Sequence, residues 1–167
     1  DGVNILETDG LHAYEEGINH LALMARWNYG DPVQFERCME SAKSIERLTV
    51  TTPEGRRHFP DTNELGWDRL TDSRKPGTDG GSTALLLHTT LQVAQYNRNP
   101  CAMKTLREWA DTWLRYQKPG DWATSIDVLT GKALQSDSGT PLSNRGQPET
   151  FIWLAALTGD RKYVEPF

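Results

Sequence analysis

The first group of residues able to do chemistry stands at the expected start of the first helix. Asp9, His12, Tyr14 and Glu16 are close together in the chain, and His20 follows one to two helical turns later. An imidazole beside a phenol is a common means of moving a proton next to a carboxylate-bearing carbon. We therefore predict His12, Tyr14 and His20 as catalytic residues and Asp9 as a substrate-binding residue. The alternative is that Asp9 caps a turn, His12 is polar surface and His20 is a helix histidine with satisfied partners.

The second group is a loop by composition and combines acidic, aromatic and basic side chains. It contains the carboxylates of Asp61, Glu64 and Asp68, the indole of Trp67 and the guanidinium of Arg69. A guanidinium can bind a sugar carboxylate through two parallel hydrogen bonds, so the combination suits an acidic oligosaccharide. We predict that Glu64, Trp67 and Arg69 bind substrate. A surface loop held by its own salt bridges, or a calcium site built from the acidic residues, are the alternatives.

Aromatic residues are frequent, with six Trp and five Tyr in 167 residues. A flat aromatic face stacks on the C–H face of a sugar ring while its polar edge finds a hydrogen-bond partner. Core packing is the competing interpretation for most of them. Trp122 and Arg145, both in the last long connection, are predicted to line the same substrate cleft.

The elements that must position these residues are predicted to be helical hairpins. A helix over residues 15–29 meets the turn Gly30-Asp31-Pro32, where Asp31 can cap a second helix that runs to Thr49 with Pro32 at its first position. A second hairpin covers 82–96 and 103–116 around a turn at 97–100. A third begins at Pro148 and turns at 158–160, and its second helix has barely begun when the sequence ends. We therefore expect residues 1–167 to be a partial domain, a fragment of a larger multidomain protein.

Two long connections, 50–81 and 117–147, separate the hairpins and are rich in Gly, Pro, Asp, Thr and Ser. Connections of this length usually carry function. Each holds a predicted β-hairpin, one from residues 48–52 and 56–59 and one from residues 123–129 and 132–135. Ser82 is predicted to cap the helix that follows the first connection.

Charge and apolar pattern exclude some classes of partner. The formal net charge of −5 comes without a basic cluster, so a nucleic-acid partner is not expected. No apolar run reaches the length needed to cross a bilayer, so no membrane span is expected. Cys38 and Cys101 lie in helical patterns beside apolar neighbours and are predicted to be two buried thiols.

Several short runs carry a family resemblance: Thr8-Asp9-Gly10-Leu11-His12, Asn19-His20-Leu21-Ala22-Leu23, Tyr29-Gly30-Asp31-Pro32 and Glu36-Arg37-Cys38. They resemble the C-terminal (α/α) toroid domain of exo-rhamnogalacturonan lyase-like proteins, over roughly residues 1–70. Leu157-Thr158-Gly159-Asp160 adds a hairpin pattern that many toroidal sugar enzymes share. The expected fold class is all-α, helical hairpins of an (α/α) toroid with small β-hairpins in the long connections.

The resemblance implies a secreted or periplasmic polysaccharide lyase that cleaves a uronic-acid-containing, pectin-like glycan by β-elimination. Its partners would be an acidic oligosaccharide or polysaccharide and the missing domains of a parent chain, and no cofactor is expected beyond possible calcium. The favoured mechanism has His12 or Tyr14 remove the C5 proton while Arg69 or another cation neutralises the carboxylate. The alternatives are a glycoside hydrolase using Asp9 and Glu64, and a non-catalytic helical scaffold that binds carbohydrate or a partner.

Overall fold

The computed structural model describes residues 10–62, 77–137 and 146–167. Helices and short strands alternate along the chain in the order α1 (Gly10–Ala13), a π-helical segment (Tyr14–Ile18), α2 (Asn19–Trp27), α3 (Pro32–Leu48), β1 (Val50–Thr51), β2 (Arg57–His58), β3 (Thr78–Gly80), a 3₁₀ segment (Gly81–Leu87), α4 (His88–Asn97), α5 (Pro100–Leu114), β4 (Gln117–Lys118), β5 (Asp121–Asp127), β6 (Lys132–Asp137), α6 (Gln147–Thr158) and a 3₁₀ turn (Arg161–Tyr163).

The helix pairs α2/α3 and α4/α5 are joined by turns that were predicted from sequence, and the cap at Asp31 was predicted as well. The Asp31 carboxylate accepts a hydrogen bond from the amide of Val33 at 2.9 Å, and Pro32 is the first residue of α3. Asn99 repeats this arrangement at the start of α5, where it accepts from the amides of Cys101 and Ala102. Each cap satisfies amide groups that have no partner inside the helix.

Helix α4 is the central element of the helical part. Its residues from His88 to Ala94 are all buried, and it packs against α2, α3, α5 and α6. Burial on every side explains why its sequence lacks a clear polar face. Residues on α4 therefore contact several elements at once.

Two antiparallel sheets lie beside the helices in the described part of the chain. Strands β1 and β2 form the hairpin predicted around Gly55, with Val50 opposite His58. Strand β5 is central in the larger sheet, and β6 pairs along one of its edges. On the other edge, β4 pairs with the beginning of β5 and β3 with its end. The β5/β6 pair is the second hairpin predicted from sequence.

The prediction of an all-α toroid is wrong, because these sheets make the fold mixed α/β, and no ring of helical hairpins is shown by the described residues. The pattern missed two strands, β3 and β4. The β3 residues Thr78-Asp79-Gly80 have no apolar alternation, and β3 pairs with residues 125–127 far along the chain. The predicted cap at Ser82 is also wrong, since the 3₁₀ segment begins at Gly81 and has no side-chain cap.

Large aromatic side chains fill the centre of the core. Trp109 and Trp113 are fully buried with ring centroids 5.8 Å apart, and Phe151 lies 6.1 Å from Trp109 and 6.0 Å from Trp122. Much of the aromatic surplus therefore serves packing. The two cysteines differ: Cys38 is buried as predicted, whereas Cys101 is exposed in the first turn of α5.

Candidate active site

Tyr14 is the first residue of an unusual helical turn. The N–H of Asn19 donates to the carbonyl of Tyr14, a spacing of five residues that defines the π-helical segment Tyr14–Ile18. The Tyr14 hydroxyl donates to the side-chain oxygen of the same Asn19 at 3.2 Å. Single π-helical turns often occur at functional sites, because they redirect side chains that a regular helix would place elsewhere. Here the turn holds a half-buried phenol in one orientation.

An imidazole lies against this phenol. The rings of Tyr14 and His88 meet edge to face, with centroids 5.2 Å apart. His88 is the first residue of α4 and only 7 % exposed. His88, which was not among the predicted catalytic residues, is therefore the imidazole that contacts Tyr14.

A carboxylate reaches the same imidazole from α6. Oε2 of Glu149 lies 3.2 Å from Nε2 of His88, although the two groups are not aligned for a hydrogen bond. Glu149 is in the first turn of α6, where the helix dipole favours a negative charge. Its side chain is 36 % exposed, so the carboxylate connects a buried imidazole with solvent.

A guanidinium completes the cluster from α2. Nη2 of Arg26 donates to Oε1 of Glu149 at 3.0 Å. With its amide oxygen turned toward Arg26, the buried Gln92 accepts from Nε at 2.9 Å. The side chain of Arg26 is 42 % exposed, so its cation is fixed on one side and accessible on the other.

These contacts set the protonation states of the carboxyl and the phenol. His88, and after it Arg26, hold the pKa of Glu149 at about 2, well below its ordinary value of 4.5. Burial, and then the negative charge of Glu149, raise the pKa of Tyr14 above its ordinary value of 10.0. At neutral pH the carboxyl is therefore ionised and the phenol keeps its proton. Such perturbed groups, close together and partly open to solvent, make the cluster a candidate functional site.

The other predicted catalytic residues lie elsewhere on the surface. His12 is exposed on α1 and His20 is exposed on α2. The imidazole against the edge of Tyr14 is that of His88, so Tyr14 is the one predicted catalytic residue that the described geometry places in the cluster.

Trp122 has a packing role in this structure. It is the second residue of β5, is 1 % exposed and lies 4.8 Å from the ring of Phe167. A ring buried to this extent offers no face to a sugar. The remaining predicted substrate-binding residues, Asp9, Glu64, Trp67, Arg69 and Arg145, lie outside the described residues, as does Asp68.

Sequence reasoning missed four members of the cluster: Arg26, His88, Gln92 and Glu149. His88 stands among leucines in a helical pattern, and Arg26 and Glu149 stand in ordinary helical contexts. The one available signal was Glu149 directly after a helix start at Pro148, because an acidic side chain there is stabilised by the helix dipole. Nothing local indicated its partners.

A second histidine–carboxylate pair is fully buried. Nδ1 of His58 lies 2.9 Å from Oδ2 of Asp79, and Thr83 donates to Oδ1 of Asp79 at 2.7 Å. Both members of the pair are 0 % exposed. The pair joins the small β1/β2 hairpin to β3, and its complete burial gives it a structural role.

Residues 10–62, 77–137 and 146–167 contain no group of three or more His, Cys, Asp or Glu side chains that could hold a metal ion. The calcium prediction falls partly on Glu64 and Asp68, outside these ranges. None of the helices in the described ranges is long and apolar enough to cross a bilayer.

Comparison of the chain with family models, with curated proteins and with solved structures gave no significant match.

Proposed function

We propose that this chain belongs to a carbohydrate-active enzyme that cleaves a uronic-acid-containing glycan by β-elimination at the Tyr14–His88–Glu149–Arg26 cluster. The observation that supports this most is the phenol–imidazole pair beside an ionised carboxylate and a half-exposed guanidinium. A secreted or periplasmic location, where such polymers occur, is part of the proposal.

The proton transfers follow from the protonation states. In β-elimination a base takes the C5 proton of the uronate, the electron pair forms the C4–C5 double bond, and the bond from C4 to the glycosidic oxygen breaks. His88 is proposed as the base, because its imidazole contacts Tyr14 and lies beside the Glu149 carboxylate. Tyr14, which retains its proton at neutral pH, is proposed to protonate the departing oxygen.

Arg26 is proposed to bind the uronate carboxylate. Removal of the C5 proton is easier when a cation neutralises the neighbouring carboxylate, because negative charge develops there in the transition state. The exposed side of the guanidinium supports this role. Trp27, the next residue in α2, is 78 % exposed and offers an indole face for a neighbouring sugar ring.

The test is ultraviolet absorbance of the unsaturated product when the chain is incubated with polygalacturonate and with rhamnogalacturonan. We expect His88→Ala and Tyr14→Phe to lower the initial rate about a hundredfold or more, and the exposed His12→Ala to leave it within about twofold. New reducing ends without the ultraviolet absorbance would show that the glycan is hydrolysed and would refute elimination. Full activity in both His88→Ala and Tyr14→Phe would refute this site.

A further inference from the structure

Three aromatic rings meet where α2 and α4 end and α3 begins. Tyr29 lies in the turn after α2, Phe35 in the first turn of α3 and Tyr96 in the last turn of α4. The rings of Phe35 and Tyr96 are stacked, with centroids 3.8 Å apart. The Tyr29 ring stands at 88° to Phe35 and 73° to Tyr96, with centroid distances of 5.7 Å and 5.9 Å. The three rings therefore hold one another in place.

The ring cluster is anchored in the core on one side and open to solvent on the other. Phe35 is buried, whereas Tyr96 is exposed and Tyr29 is 67 % exposed. Two ring contacts thus fix the position of Tyr29 while most of its surface remains accessible. An aromatic side chain that is both fixed and accessible is suited to binding, because little conformational freedom is lost when a ligand covers it.

The ring cluster is continuous with the candidate active site along one face of α4. His88, Gln92 and Tyr96 follow one another at intervals of four residues, and residues four apart on a helix are neighbours on one face. Gln92, with its amide oxygen turned toward Arg26, accepts from that guanidinium, and Tyr29 follows Arg26 by three residues. At ~1.5 Å per residue, His88 and Tyr96 are about 12 Å apart along the helix axis. A ligand that reaches from one to the other must therefore be longer than a single sugar ring.

We propose that Tyr29 and Tyr96 form a subsite for a further sugar ring of the polymer whose uronate reacts at the Tyr14–His88 pair. This subsite rests on the function proposed above, since a polysaccharide extends beyond the unit that reacts. The exposed side of the Tyr29 ring packs on the C–H face of the sugar, and the two phenol hydroxyl groups pair with its hydroxyl groups. Aromatic packing requires no charge on this sugar, so the subsite accepts a neutral ring as well as a uronate.

Calorimetric titration with hexagalacturonate tests the subsite, in a Tyr14→Phe background so that the ligand is not consumed. Tyr29→Ala in this background is expected to weaken binding about two- to tenfold, the effect of losing one aromatic contact. Tyr29→Phe keeps the ring and is expected to recover most of that loss. Leu129→Ala is the matched control, because it removes an exposed apolar side chain from the turn between β5 and β6, and it is expected to change nothing.

Arg26→Gln tests whether one ligand molecule spans both places. In the same background it is expected to weaken hexagalacturonate binding about two- to fivefold, as expected for the loss of an exposed ion pair. Weaker binding in Tyr29→Ala together with unchanged binding in Arg26→Gln would separate the rings from the candidate active site and contradict the shared polymer.

The ultraviolet assay of the wild-type chain separates this proposal from the function on which it rests. Unsaturated product, with unchanged hexagalacturonate affinity in Tyr29→Ala, would overturn the subsite and leave the catalytic site standing. Weaker binding in Tyr29→Ala without unsaturated product would refute the catalytic site and support sugar binding at the rings. No binding of hexagalacturonate at millimolar concentration would overturn both proposals.

Analytical ultracentrifugation tests the other possible occupant of the rings, a second copy of the chain. The subsite predicts that Tyr29→Ala leaves the oligomeric state unchanged. A concentration-dependent dimer that Tyr29→Ala abolishes would assign the rings to contact between two copies and overturn the subsite.

Discussion

Replacing Glu149 by Gln tests whether the carboxylate is the charged centre of the candidate active site. The substitution preserves the size of the side chain and removes its charge, while Arg26 and His88 remain. We expect the variant to be less stable at neutral pH, because both partners then lose the anion between them.

The expected magnitude follows from the pKa of Glu149, which is about 2 in the folded chain against an ordinary 4.5. Because the folded value is the lower one, the ionised carboxyl stabilises the fold, fully above pH 4.5 and progressively less as the pH falls towards 2. Each unit of difference between the two pKa values corresponds to ~1.4 kcal/mol, so the contribution of the ionised carboxyl to the free energy of unfolding is at most roughly 3.4 kcal/mol. Since 36 % of the side chain is exposed, solvent screening reduces the expected contribution to about 1–2 kcal/mol.

Urea unfolding at pH 7 and pH 3 measures this contribution as the difference in free energy of unfolding between wild type and Glu149→Gln. We expect a difference of about 1–2 kcal/mol at pH 7 and roughly half of it at pH 3. Glu165→Gln should stay within about 0.5 kcal/mol of wild type at both pH values. A difference that is the same at pH 7 and pH 3 would refute the low pKa and the ion cluster that explains it.

Four further substitutions, one of them a control, test the packing of the fold, each by urea unfolding. Asp79→Ala removes the buried acceptor shared by His58 and Thr83, of which Thr83 keeps the carbonyl of Gly80, and should cost about 2–3 kcal/mol; a cost below about 1 kcal/mol would contradict this role. Gly146→Ala puts a methyl group 2.9 Å from the amide nitrogen of Leu85 at φ +80°, whereas Gly120→Ala has φ +75° and no atom within 4 Å. Gly120→Ala should therefore cost about 1 kcal/mol and Gly146→Ala at least about 1 kcal/mol more, and equal costs would argue against the close approach. Trp122→Ala should cost about 3–5 kcal/mol, and a loss of oligosaccharide affinity at unchanged stability would restore its predicted binding role.

Helix starts and hairpin turns depend on residues that are close together in the chain. Asp31-Pro32 and Asn99-Pro100 each place a capping side chain before a proline at the first helical position, and both helices begin there. The two β-hairpins follow from turn residues between short β-prone runs. These features depend on residues within a few positions of one another, so one sequence is sufficient to find them.

Long-range pairing was not predictable in the same way. Strand β3 is defined by its backbone partners on β5, and its three residues carry no β pattern of their own. The ion pair of Arg26 with Glu149 spans 123 residues. His12 was paired with Tyr14 because it is near in sequence, but residues two apart on a helix do not face each other. The imidazole that does face Tyr14 comes from α4.

The oxygen content of the reaction product tests the proposed chemistry most directly. Polygalacturonate is digested in water enriched in heavy oxygen, and the oligosaccharide products are weighed by mass spectrometry. Elimination at the Tyr14–His88 pair predicts that one fragment is a water lighter than its hydrolytic counterpart and that, before the oxygen of the new reducing end exchanges with solvent, no heavy oxygen is gained at the cleaved bond. Heavy oxygen gained at the moment of cleavage, with no fragment lighter by a water, would contradict the account.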